Sequence, residues 1–296
     1  MITKNAFVSI VGRPNVGKSS LLNKLIGEKI AAVSDKPQTT RTKITGVLTK
    51  DNVQYVFMDT PGFHKARNKL SEHMIKAVNE SVSEIDLVML VVDCTKKISE
   101  AEKELINSFK ASRTPAILVI NKIDLIENKN DLLLIIKNYS ELFDFNAVIP
   151  VSALNEDGLD IILKELENNA EVGPHYFPDD MLTDQPEKVI AAEIIREKIL
   201  NLMSEEIPHG VAVMIESMKE REDKDILDIE ALIYCEKDSH KGMIIGKNGS
   251  MLKNVGSQAR EELESFFRIS VNLQCWVKVK ESWRNREGII KNFGLS

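Results

Sequence analysis

Little in this sequence supports a disulfide, zinc or membrane-spanning architecture. Its three cysteines, Cys94, Cys235 and Cys275, are odd in number and form no CxxC pair. That argues against a disulfide scaffold or structural zinc and fits a reducing compartment. No apolar run approaches the ~20 residues of a membrane span; stretches such as Leu87 to Val92 stop far short. The N-terminus reaches a glycine turn at Gly12 with no cleavage pattern before it. A basic excess is missing too, since 39 Lys and Arg face 45 Asp and Glu, a formal net charge of −6. Such a chain does not coat nucleic acid over its whole surface, although a local basic face remains open to it. Repeats and low-complexity tracts are absent, and 43% hydrophobic with 28% charged residues is the content of an ordinary globular protein. The expected location is cytoplasmic, at most peripherally attached to a membrane.

At 296 residues the chain is about twice the length of a common domain, which predicts two. Apolar runs at Phe7 to Val11, Tyr55 to Met58, Leu87 to Val92, Ile117 to Ile120 and Val148 to Val151 alternate with helix-length amphipathic segments. That order predicts an α/β domain with a mostly parallel sheet, helices on both faces, and ligands beyond the carboxyl ends of the strands. The pattern breaks at Gly173, Pro174, Pro178 and Pro186. The expected division is therefore a first domain over 1–172, a linker over 173–186, a smaller α+β domain over 187–282 and a tail over 283–296. In the second domain, residues 181–236 carry 6 basic against 14 acidic side chains, and residues 237–291 carry 11 against 6. The latter is where a polyanion would bind, unless these charges only solvate helix faces.

The first run leads into Gly12-Arg-Pro-Asn15-Val16-Gly17-Lys18-Ser19-Ser20, a G-x-x-x-x-G-K-S loop between strand and helix. Backbone N–H groups of Asn15, Val16, Gly17, Lys18, Ser19 and Ser20 can wrap a phosphate, Lys18 can reach the β and γ phosphates, and the Ser19 hydroxyl can ligate Mg²⁺. After the second run, Asp59-Thr-Pro-Gly62 puts a carboxylate where it can hold Mg²⁺ through a water, and a backbone N–H at Gly62 for the γ phosphate. Asn121-Lys122-Ile-Asp124 follows the fourth run and Ser152-Ala153 the fifth. A carboxylate at Asp124 can accept from N1–H and the 2-amino group of guanine together, which adenine cannot match. GTP is therefore expected.

Taken together, these motifs resemble the TRAFAC class of P-loop GTPases. The resemblance implies that Gln38-Thr39-Thr40-Arg41 is a first switch, with Thr40 as the Mg²⁺-binding hydroxyl and Thr39 the alternative. Phe63 stands where the class usually carries a water-orienting Gln, so no general base is assigned, and slow or assisted hydrolysis is expected. In related GTPases an Asn at the position of Asn15 helps bind K⁺; here Asn15 either does so or only braces the loop.

The second domain holds Lys241-Gly-Met-Ile244-Ile245-Gly246-Lys247-Asn248-Gly249. With fourteen glycines in the chain, about one GxxG is expected by chance, so context must decide. Ile244 and Ile245 offer an apolar shelf, Lys247 projects from the turn, and a helix from Ser250 to Phe266 follows. These features resemble a type II KH domain, which implies RNA binding through Lys241, Ile244, Ile245, Gly246, Lys247, Asn248 and Gly249. Trp276, on the polar face of the last strand, either stacks a base or covers a neighbouring helix. Trp283, Arg284 and Arg286 either touch RNA or dock the tail. His64, His73, His175 and His209 have no ligand-spaced partners, Glu261 and Glu262 read as a solvated helix face, and Met203, Met214 and Met218 read as packing.

End to end, the chain resembles the Era family of ribosome-assembly GTPases. That resemblance implies a GTP-hydrolysing switch with GTP and GDP as ligands. It further implies binding to the 3′ end of small-subunit ribosomal RNA, action in maturation of that subunit, and peripheral membrane contact. The chain is expected to be a monomer without a DNA partner. Two rivals remain: an ATP-using phosphotransferase, and an RNA-binding scaffold in which nucleotide is only structural.

Overall fold

The computed structural model describes residues 2–36, 39–62, 69–70, 85–203 and 210–295. It divides into two compact units, one of Met1–Ala31, Thr40–Ala66 and Met74–Asp184, the other of Ala32–Thr39, Arg67–His73 and Gln185–Ser296.

The first unit is built on a sheet ordered β2-β3-β1-β4-β5-β6, with strands β1 (Lys4–Val11), β2 (Ile44–Lys50), β3 (Val53–Asp59), β4 (Leu87–Asp93), β5 (Ala116–Asn121) and β6 (Ala147–Pro150). A short β7 (Glu171–Val172) pairs antiparallel with β1. Pairings from β3 through β6 are parallel. Alternate residues of β4 explain the two-sided cover. Leu87, Met89 and Val91 join one core with Leu21 and Leu22 of α1 (Lys18–Ile26) and with Ile162 and Leu166 of α4 (Leu159–Asn168). Val88, Leu90 and Val92 join another with Leu105 and Phe109 of α2 (Glu100–Ser112) and Tyr139 of α3 (Lys129–Ser140). Strands buried on both faces read as continuous apolar runs, which is why β1, β3, β4 and β5 stood out in the sequence, while β6, at the sheet edge, is only partly buried.

The run-based reading omits β2. Its sequence Ile-Thr-Gly-Val-Leu-Thr-Lys mixes Gly and Thr among few apolar residues. It earns its place as an edge strand, antiparallel to β3 across a turn at Asp51 and Asn52, where Asp51 adopts φ 55. Beyond β7 the proline-bearing stretch lies along this sheet. Gly173 N donates to Thr3 O (3.1 Å), Gln54 Nε2 donates to Phe177 O (2.9 Å), and Val47 N donates to Leu182 O (2.8 Å).

The second unit runs α5 (Glu187–Leu202), β8 (Ala212–Arg221), β9 (Lys224–Cys235), α6 (Asp238–Ile245), α7 (Ser250–Phe267), β10 (Ser270–Val279) and a terminal α8 (Glu287–Asn292). Its sheet is ordered β10-β9-β8, parallel between β9 and β10 and antiparallel between β8 and β9. One core gathers Ile190, Ile194, Ile229, Ile233, Val255, Leu263 and Val277. Trp283 is fully buried, donates from Nε1 to Gly210 O (2.9 Å) and meets Phe293 edge-on at 5.3 Å. Arg284 bonds Glu236 (Nε to Oε2, 3.1 Å). Of the two readings of the tail, the structure therefore supplies docking for Trp283 and Arg284, while Arg286 is exposed. Glu262 corrects an expectation, because Lys198 of α5 binds its carboxylate, so it is an ion-paired residue and not part of a solvated face.

Candidate functional site

The parallel strands end together, and their order reverses beside β1, which opens a crevice at their carboxyl ends. After Val11 the chain turns through Gly12 to Gly17 into α1. Gly17 has φ 96, and a Cβ there would sit 2.3 Å from Asn121 Nδ2, so the turn requires glycine. Lys18 is buried and folds its ammonium onto the loop, donating to Gly12 O (3.2 Å) and Arg13 O (3.0 Å). Ser19 Oγ donates to Asp59 Oδ2 (2.6 Å) and shares a 2.8 Å hydrogen bond with Thr40 Oγ1. Thr39 turns elsewhere, its hydroxyl donating to Lys36 O (2.6 Å). Of the two threonines the structure therefore brings Thr40 to Ser19.

Asp59 is fully buried, and its Oδ1 finds no hydrogen-bond partner among the described residues. Burial raises its pKa, against the opposing pull of Lys18 and Ser19. Burial likewise pushes Lys18 down to about 8, with Asp59 working the other way. A carboxylate and an ammonium buried this deeply are electrostatically costly. Three hard oxygens and one unpartnered carboxylate oxygen beside a buried ammonium fit a magnesium ion and a polyphosphate. Gly62 packs closely on the loop, for a Cβ there would lie 2.7 Å from Pro14 N.

The other end of the crevice is a net of braces. Asn121 donates from Nδ2 to Val16 O (2.9 Å) and accepts at Oδ1 from Lys122 N (2.8 Å) and Ala153 N (3.0 Å), joining three loops. Lys122 donates from Nζ to Asn15 O (2.8 Å) and to Asp93 Oδ2 (2.7 Å). Ser152 Oγ donates to Asp124 Oδ1 (2.5 Å), which fixes that carboxylate. Asp93, at the end of β4, went unnoticed in the sequence. Burial alone would lift its pKa, yet bonds from Lys122 and Thr95 hold it low and keep it charged. Its position just past a strand end was the available signal.

In the second unit the turn from Gly246 to Gly249 joins α6 to α7. Gly246 has φ 73 and a Cβ there would lie 2.7 Å from Met251 Cβ. Lys247 and Asn248 are exposed and Lys241 is half-buried, whereas Ile244 is fully buried in the core. The apolar shelf is corrected accordingly: Ile244 supports the turn from within, and half-buried Ile245 is the isoleucine that remains near the surface. Beside the turn lies a groove of about 390 Å³ lined by Lys253, Gly256 and Arg260 of α7 and by Leu273 and Cys275 of β10. Positions 249, 253, 256 and 260 follow helical spacing, a legible signal that the motif drew attention away from.

Residues 7–122 match the family described as "50S ribosome-binding GTPase", and residues 206–284 match the KH domain family. The GTPase Era of Clostridioides difficile (strain 630) is 54% identical over 293 residues, covering 99% of both chains. The chain belongs to the Era family of GTPases. Another member, from Thermoanaerobacter sp. (strain X514), is 49% identical over 99% of this chain and 97% of its own. A crystal structure of Era with MgGDPNP and nucleotides 1506–1542 of 16S ribosomal RNA superposes with TM-score 0.95 at 37% identity, covering 99% of each chain. An Aquifex aeolicus Era variant bound to GDP·AlF4− gives 0.95 at 36% identity, covering 99% of this chain and all of that one.

For an Era-family chain the placements are coherent. Lys18, Ser19, Thr40 and Asp59 converge, as do Asn121, Lys122, Asp124, Ser152 and Ala153. Ser20 sits in the first turn of α1. Gln38, Phe63, His64, His73 and His209 lie outside the described residues. His175 pairs with Asp179 (Nδ1 to Oδ1, 2.6 Å). Trp276 is 42% exposed on the sheet face away from the core.

Proposed function

We propose that this chain is a GTP-operated switch that binds the 3′ end of small-subunit ribosomal RNA and acts in maturation of that subunit. The observation that carries it is the convergence of Ser19, Thr40 and the unpartnered Asp59 oxygen on Lys18, in a chain that also presents the Gly246 to Gly249 turn beside a basic groove. In this reading Asn15 to Ser20 and Gly62 hold the phosphates. Ser19 and Thr40 ligate Mg²⁺ directly, Asp59 through a water, and the ion when bound neutralises charge on the β and γ oxygens. Asp124 accepts from the guanine N1–H and amino group, and Ser152 orients it. Asn121 and Lys122 hold the base-binding loops to the phosphate loop. RNA lies along Lys241, Ile245, Gly246, Lys247, Asn248 and Gly249, continuing over Lys253 and Arg260.

The RNA target is supported by the nucleic acid in the related Era complex, and hydrolysis by family membership together with the transition-state analogue in the Aquifex protein. A potassium ion near Asn15 is the finer part of this proposal. It is supported by the left-handed Asn15 (φ 64) in the phosphate loop, and equal hydrolysis rates in Na⁺ and K⁺ buffers would refute it. A cytoplasmic location with peripheral membrane contact rests on the family resemblance. Among the described residues no helix is long and apolar enough to cross a membrane.

The test is RNA affinity measured with GDPNP and with GDP, using an RNA of the small-subunit 3′ end. Unequal affinities are expected, and by linkage the RNA must shift nucleotide affinity by the same factor. Equal affinities would remove the switch. Gly249→Asp supplies the site control: it adds an anion where a Cβ meets nothing within 4 Å, and Asp is among the residues that best tolerate the left-handed backbone there (φ 77), whereas Gly246→Asp would also collide with Met251. Undiminished RNA binding by Gly249→Asp would remove the RNA face.

A further inference from the structure

The segment immediately before Thr40 belongs to the second unit, which comprises Ala32–Thr39 together with the KH portion. Two consecutive residues of α5 hold it there. Arg196 donates from Nη2 to the Thr39 carbonyl, and Glu197 Oε2 accepts from Val33 N (2.7 Å). Glu193 fixes the guanidinium, accepting from Arg196 Nε (2.7 Å) and Nη2. Arg196 and Glu197 are 1% and 2% exposed, rare burial for such side chains in a helix. Arg196 Nη1 finds no partner among the described residues, so the bonds from Nε and Nη2, including the one to the Thr39 carbonyl, are the ones that offset the cost of burying this charge.

The segment is thus gripped at both ends, and its next residue is the threonine whose hydroxyl lies 2.8 Å from Ser19 Oγ. One peptide link separates the carbonyl held by Arg196 from the residue whose hydroxyl meets Ser19. On the far side of α5, Lys198 bonds Glu197 (3.2 Å) and Glu262 of α7, the helix that starts at the RNA-side turn.

We propose that Arg196 is a positioning residue for the triphosphate site: by holding the Thr39 carbonyl it sets the reach of Thr40, so that a helix of the RNA-binding unit favours GTP with its metal ion over GDP. This rests on the reading of Thr40 as the residue that engages the ion beside the γ phosphate. GDP lacks that phosphate, so its affinity depends little on Thr40, and the effect of Arg196 is expected in the GDPNP to GDP affinity ratio at fixed Mg²⁺.

The experiment measures that ratio for the full chain and for Arg196→Met, Arg196→Lys, Thr40→Ala and the Arg196→Met/Thr40→Ala pair. Thermal unfolding and RNA affinity without nucleotide check that each variant folds. Arg196→Met is expected to lower the ratio about tenfold, a common size for coupling between sites. Arg196→Lys keeps one donor and should recover most of it. In the Thr40→Ala background Arg196→Met should change nothing further, because the effect passes through Thr40. An unchanged ratio in folded Arg196→Met, or equal losses with and without Thr40, would overturn the proposal. Should Arg196→Met not fold, Glu193→Ala, which removes the carboxylate that fixes the guanidinium, takes its place, and a folded Glu193→Ala that leaves the Mg²⁺ concentration for half-maximal GDPNP binding unchanged would overturn it equally. Nucleotide-independent RNA binding in the unaltered chain would instead sink the switch reading, and leaves the affinity ratio to decide this one.

Discussion

At the carboxyl ends of β1, β3, β5 and β6 almost every polar side chain has a named partner, from Lys18 on two loop carbonyls to Asp124 under Ser152. The face that starts at Gly246 is a turn, one stripe of α7 and open space, with Lys247, Lys253 and Arg260 reaching into solvent. The difference follows from the ligands. A nucleotide is small, so its selection requires fixed donors and acceptors held in a buried crevice. A polyanionic strand is long, and its affinity comes from many separable, screened contacts that need only a shaped basic surface. Loss of one group should therefore be severe in the first region and graded in the second.

The strongest way to break that contrast is Asp124→Asn. The amide can no longer accept both guanine protons but can donate to the 2-oxo group of xanthine. GTP affinity should drop by about a hundredfold or more while XTP affinity rises, as nucleotide competition would read, with RNA binding measured without nucleotide unchanged. A purine preference that survives the substitution would contradict the assigned role.

Arg260→Ala sharpens the other side. Removing one exposed phosphate contact should weaken RNA binding about fivefold and reduce the salt slope by about 1, leaving GTP turnover intact. A loss as large as that at Asp124 would mean that the groove, too, is a fixed site.

The smallest expected effect is pH dependence at Lys18. Burial pulls its ammonium down to about 8, and a bound polyphosphate must raise it. Protonated lysine is the binding form, so affinity is complete well below pH 8 and falls as pH rises through it, with a proton taken up on binding. Between pH 7 and 8.5 the GTP Kd should rise about fourfold. Calorimetry in buffers of different ionisation heat would detect the uptake; a flat profile would mean the lysine is not desolvated.

Much of the first unit was legible because both of its signals are local. Doubly buried strands leave apolar runs, and the loops after them carry motifs whose spacing is fixed by the ligand. The edge strand β2 lacked such a run, since its pairing with β3 and not its own composition makes it a strand. In the second unit the order of helices and strands was legible, but the exposure of particular residues was not. Ile244 and Ile245 are neighbours of identical chemistry, and only the path of α6 buries one fully. Trp283 and Arg284 could equally have faced RNA until Gly210 and Glu236 were seen beside them.

The amino-acid order alone determined which atoms could grip a triphosphate and a guanine, because those groups lie within a few residues of a strand end and need no distant neighbour to be recognised. Tertiary structure decided the choice between Thr39 and Thr40, the burial of Asp59 that makes its free oxygen costly, and the hold of Arg196 on a carbonyl 157 positions away. Burial and long-range contact are properties of the folded path, and hydrogen bonds formed across such separations leave no periodicity in the sequence to read.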